Sequence, residues 1–98
     1  MSNEGYHEPI HELTGNTREM HRAITSLMEE LEAIDWYNQR VNASVDKELQ
    51  KILSHNQNEE KEHAAMLLEW IRRQDATFDK YLKKYLFTNK PIAHKVSR

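Results

Sequence analysis

Between Asn16 and Lys90 the chain contains neither glycine nor proline. Its two glycines and two prolines are Gly5, Pro9, Gly15 and Pro91, all near the ends. A stretch this long without a residue that breaks a helix outright predicts an all-α fold. Two apolar seams run through it. The first is Met20, Ile24, Leu27, Leu31, Ile34 and, after Asn38, Val41. The second is Leu49, Ile52, Leu53, then Met66, Leu67, Trp70 and Ile71. Both keep steps of three and four, the spacing of one helix face.

The second seam has a gap, and carrying its spacing through gives positions 56, 60 and 63. Glu60 and His63 therefore stand where core residues are expected. Three apart on a helix, they point the same way. Unpaired ionisable groups in a core cost several kcal/mol or titrate away their charge, and a bound cation removes that cost. Glu30 lies beside the first seam. The connection 42–46 is short enough for an antiparallel hairpin. With residue 44 as its tip, Glu30 lies 14 residues back and Glu60 16 forward, an axial offset of roughly 3 Å. Glu30, Glu60 and His63 can share one level. Tyr37, seven residues from Glu30, is on the same face and can reach a metal ligand or a bound oxygen species by hydrogen bonding.

Predicted boundaries follow from caps and breaks. Pro9 opens a short turn to Leu13, and Gly15 interrupts. Asn16 or Thr17 starts the first long helix, with Asn16 and Glu19 spaced as a capping box, and it runs to about Asn42. Ser44 or Asp46 caps the second, which runs from about 46 to 73. A break at 74–77 precedes a third, shorter helix, capped by Asp75 or Thr77, with Phe78, Leu82, Tyr85 and Leu86 on its apolar face and an end near Phe87. The chain reads as one domain, 1–98, with residues 1–8 and 89–98 flexible.

Bulk properties exclude several classes. The formal charge is -2, with no basic block for nucleic acid. Cysteine is absent, so there are no disulfides or thiolate-held metals, which suits a reducing cytoplasm. No apolar run approaches a membrane span, and the polar N-terminus lacks a signal peptide's apolar region.

Di-iron carboxylate bundles take a Glu from each of two helices and a Glu-x-x-His from each of two others. This chain supplies half of that set on two long helices. A symmetric homodimer would complete both the ligands and the four-helix bundle. A carboxylate-rich site with one imidazole per metal suits iron or manganese, and zinc can compete.

Other polar groups have plainer readings. Glu29, Glu32 and Trp36 form an acidic face that could pass cations inward or merely be solvated. His55, Glu59 and Glu62 share a face, read as a surface cluster on spacing alone. His7 and His11 are taken as exposed, and His21 and His94 are unassigned.

The stretches HRAITSLMEELEAIDWYNQR and ILSHNQNEEKEHAAMLLEWIRR, followed by YLFTNKPI, closely resemble the encapsulated ferritins over roughly residues 7 to 92. The resemblance implies a ferritin-like two-helix protomer with a short C-terminal helix, whose dimer forms a ferroxidase centre. It implies five dimers in a ring-shaped decamer that oxidises iron(II) with dioxygen for storage inside an encapsulin nanocompartment of the cytoplasm. By position, Glu30, Glu60 and His63 become iron ligands with Tyr37 close by. Glu29, Glu32 and Trp36 become the region that admits iron, and His55, Glu59 and Glu62 a peripheral site. Calcium, zinc or manganese are expected substitutes for iron. The family's C-terminal Gly-Ser-Leu targeting core does not occur in this sequence, which leaves the route into a shell unspecified. The rivals are a non-catalytic metal-binding or sensing module and a purely structural dimerisation hairpin.

Overall fold

The computed structural model describes residues 5–93. Its elements are a single 3-10 turn, Ile10–Glu12, and three α-helices: α1 (Gly15–Ala43), α2 (Lys47–Gln74) and α3 (Ala76–Tyr85). No strand occurs among the described residues. Helices α1 and α2 form the expected antiparallel hairpin, and α3 packs on α2. Residues 1–4 and 94–98, His94 included, and with them part of the flexibility expected for 1–8 and 89–98, lie outside the described residues.

The caps refine the boundaries. α1 begins earlier than its sequence suggests, because Thr14 is the cap: its Oγ1 accepts from the Thr17 amide at 3.1 Å. The Asn16–Glu19 pair is thus already inside the helix, and Gly15 opens the helix instead of interrupting it. At the other end of the hairpin Asp46 caps α2 by accepting from the Glu48 and Leu49 amides. The break before α3 is one residue wide. Asp75 ends α2 and, through its side chain on the Phe78 amide at 2.9 Å, begins α3. α3 stops at Tyr85, two residues short of the expected end, with Leu86 as its cap.

Two glutamines lock the hairpin register. Gln50 Nε2 donates to the Val41 carbonyl at 3.3 Å and to that of Ser44, and Gln57 Nε2 donates to the Ile34 carbonyl at 3.3 Å. The Val41 and Ile34 bonds each join residues whose numbers sum to 91. That register sets Glu30 level with position 61, beside Glu60.

The core is thin. Only Ala23, Ala64 and Ile71 are buried among the described apolar residues. Small side chains at Ala23 and Ala64 let the helices approach closely. Leu27, Ile34, Leu53 and Leu67 are half-buried along the contact. Met20 and Val41 are half-buried as well, whereas the seam residues Ile24, Leu31, Leu49, Ile52, Met66 and Trp70 are exposed. Each long helix thus has more apolar surface than one neighbour covers. The accessible surface is 8109 Å², against about 5,900 Å² for a compact folded chain of this mass. The radius of gyration is 17.5 Å, against about 13 Å for a compact fold of this length.

Candidate metal centre

Glu30 comes from the middle of α1, and Glu60 and His63 from successive turns of α2. Each helix holds its residues at the facing level because the glutamine register puts them there. Their ligand atoms all lie within 4.8 Å of one another, the one grouping of this kind among the described residues. His63 Nδ1 is 3.1 Å from Glu60 Oε1 and 3.8 Å from Glu30 Oε2. Side-chain exposures are 25% for Glu30, 24% for Glu60 and 44% for His63. The cluster is therefore half-buried, with the imidazole on its open side.

Its electrostatics are those of a shared charge site. The hydrogen bond to Glu60 raises the Glu30 carboxyl above its ordinary value, and partial burial adds to the effect. Glu60 is the acceptor from Glu30 and from His63, and both bonds lower it. The bond to Glu60 likewise raises the His63 imidazole. Two carboxyls this close share a proton because both cannot ionise cheaply. A divalent cation would take over that role with more charge and more coordination, using hard oxygen donors and one imidazole nitrogen.

The other expected residues sit further out. Tyr37 is half-buried on the Glu30 face, two turns along, which is roughly 10 Å of axis, and Arg40 lies over its ring at 5.3 Å. Glu29, Glu32 and Trp36 are exposed on the outer side of α1. His55 and Glu59 are 3.8 Å apart on an exposed face, with Glu62 also exposed. His7 and His11 are exposed as expected, while the unassigned His21 packs against the Tyr6 ring at 4.7 Å.

The sequence reading missed Gln50 and Gln57. Their signal was available: Gln57 stands one residue beyond position 56 of the seam, where a half-buried amide must find partners.

Residues 5–89 match the EncFtn-like family. This chain belongs to that family. An encapsulated ferritin-like protein of Rhodospirillum rubrum is 59% identical over 92 residues, covering 94% of this chain and 66% of that protein. A ferritin-like protein of Thermotoga maritima is 58% identical over 87 residues, covering 89% and 76%. The chain thus spans just under two thirds of the length of the first relative. A crystal structure of a Nitrosomonas europaea protein shares 74% identity and superposes with a TM-score of 0.89, covering 93% of this chain and 100% of that one. The EncFtn-like assignment agrees with the motif stretches, and the fold is ferritin-like and helical. No described helix is long and apolar enough to cross a membrane.

Proposed function

We propose that this EncFtn-like protein is a ferroxidase that takes iron(II) as substrate at a di-iron centre shared by two copies. The observation that carries this reading is the convergence of Glu30, Glu60 and His63 within 4.8 Å at the open face of a hairpin. One copy offers two carboxylates and one imidazole, too few to hold two ions. A two-fold axis beside the cluster would bring four carboxylates and two imidazoles together. The same pairing would cover the exposed seam residues Ile24, Leu31, Leu49 and Ile52. The surface in excess of a compact chain is about 2,200 Å² per copy, more than the roughly 800 Å² per partner that a standard interface buries.

In this reading Glu60 is the bridging carboxylate and His63 holds one ion from the side, while Glu30 completes the donors from α1. Two iron(II) ions each give one electron to dioxygen, which takes up two protons and leaves as hydrogen peroxide. Tyr37, on the Glu30 face of α1, would hydrogen-bond to an iron ligand or to a bound oxygen species. Glu29, Glu32 and Trp36 would form the path for incoming iron. His55, Glu59 and Glu62 would form a peripheral metal site, and calcium, zinc or manganese would substitute for iron. Five such dimers would form a ring-shaped decamer, and the relative's description as encapsulated extends the proposal to an encapsulin compartment of the cytoplasm.

The test is iron(II) oxidation followed by absorbance and oxygen uptake in wild type and Glu60→Ala. The proposal requires wild type to consume oxygen and the variant to lose most of that rate. Tight iron binding with no oxygen uptake would instead mark a non-catalytic metal-binding module.

A further inference from the structure

The row of α2 that carries the metal cluster has one polar member the cluster does not use. Positions 56, 60 and 63 continue the apolar seam, and the first of them is Asn56. It stands one turn before Glu60, roughly 6 Å back along the axis. Its side chain is half-buried. An amide in such a place normally finds partners. Gln50 and Gln57 of the same helix do so at α1 carbonyls. Asn56 makes no hydrogen bond to another side chain among the described residues, so both of its N–H donors remain uncommitted.

α1 supplies the facing row. Glu30, Ala33 and Tyr37 are spaced three and four, which keeps them on one face. The register that sets Glu30 level with position 61 sets Ala33 level with 58 and Tyr37 with 54. Ala33 therefore stands opposite the gap between Asn56 and Glu60, and a methyl group leaves that gap open to a small molecule. Asn56 lies between the levels of Ala33 and Tyr37. Tyr37 is half-buried, with Arg40 over its ring at 5.3 Å. Towards the hairpin tip the cluster is thus bordered by an amide and a phenol. Neutral donors neither repel iron(II), as a lysine would, nor compete for it as strongly as a carboxylate. They suit a species that becomes negative during the reaction.

We propose that Asn56 is a further catalytic residue of this centre: its amide N–H groups hold the oxygen species that forms beside the irons, in concert with the Tyr37 hydroxyl. This rests on the reading of the cluster as a ferroxidase. Dioxygen takes one electron from each of two iron(II) ions and two protons from water, and leaves as hydrogen peroxide with two iron(III) behind. Negative charge gathers on oxygen before the protons arrive. Donors fixed in advance stabilise it at that moment. Asn56 gives up neither a proton nor an electron.

The test is oxygen uptake by the full-length protein, with oxygen varied at saturating iron(II), beside anaerobic iron(II) binding by calorimetry. The variants are Asn56→Leu, similar in size without a donor, Asn56→Asp, the same shape with an anionic acceptor in place of the donors, and Asn56→Leu combined with Tyr37→Phe. Sedimentation checks that each keeps the wild-type mass, and Asn56→Asp decides should the Leu variant lose it. Losing one preorganised donor to a developing oxyanion costs about 100–1,000-fold in kcat in an enclosed site, so at this half-buried one both single variants should lose about tenfold or more. Iron(II) affinity should be unchanged in Asn56→Leu, and equal or tighter in Asn56→Asp. Adding Tyr37→Phe should cost less than the product of the separate losses, because both donors serve one species. Wild-type oxygen uptake in a variant of wild-type mass overturns the inference and leaves the ferroxidase reading standing. Rate and iron affinity falling together also overturn it, since Asn56 would then help to hold the metal. A wild-type protein that binds iron(II) but takes up no oxygen overturns both.

Discussion

At the scale of single residues, Glu60 holds the key position because it accepts from both other members of the cluster. Its replacement by Ala removes the acceptor that raises both Glu30 and His63. In solution, Glu60→Ala is expected to weaken iron(II) binding at least tenfold, measured by calorimetry under anaerobic conditions. Loss of a ligand's supporting partner alone costs about 10–100-fold in metal affinity, and a lost ligand should cost no less. Thr14 offers a control remote from the metal. Thr14→Ala deletes the bond to the Thr17 amide and should cost about 1 kcal/mol of stability in urea unfolding, with iron oxidation unchanged.

At the scale of elements, α3 is attached by a charged clamp. Arg72 of α2 holds Asp79 of α3 and is itself held by Glu69 at 2.7 Å. The hydrogen bonds from Arg72 and Arg73 lower Glu69 from 4.5 to about 2, and Arg72 and Lys83 lower Asp79 from 3.8. Both folded values lie below the unfolded ones. The clamp's contribution is therefore complete above about pH 4.5 and is lost as pH falls towards about 2. Hydrogen exchange should show the α3 amides losing protection in that window before those of α1. Arg72→Ala should produce the same early loss at neutral pH. Asp75 is the other attachment, serving two helices at once, and Asp75→Ala should shorten both, seen as reduced ellipticity at the helical band.

The elements themselves were largely legible in the sequence. Helix type followed from the missing breakers and from the three-and-four spacing, and Asp46 and Asp75 were recognisable caps. Thr14 was missed because Gly15 reads as a breaker, although a glycine costs little at the first position of a helix. The level of Glu30 with Glu60 and His63 was legible because a short connection fixes hairpin register. What pattern alone could not supply was the division of the seams. Spacing marks a residue as apolar-facing but not which neighbour it faces, so Leu27 and Leu31 look alike in sequence. Only the former packs within the hairpin. The Arg72 clamp was also hidden, because Asp79 reaches it across a turn whose angle the sequence does not state.

At the scale of the whole molecule, three apolar residues are buried among the described ones, a small core for a chain of this length. Iron that binds only the paired state would pull association forward by mass action. At fixed protein concentration, adding iron(II) without oxygen should raise both the fraction of dimer and the melting temperature. Ile52→Glu, which puts a charge on the exposed seam about two turns from Glu60, should oppose both effects. A structural dimerisation hairpin with no metal role predicts neither response. The most direct measurement is anomalous diffraction at the iron edge from crystals grown with iron(II). The account predicts a pair of iron peaks roughly 3.5–4 Å apart on a two-fold axis, ringed by Glu30, Glu60 and His63 of both copies. Iron lying elsewhere, or held at this cluster by one copy alone, would contradict it.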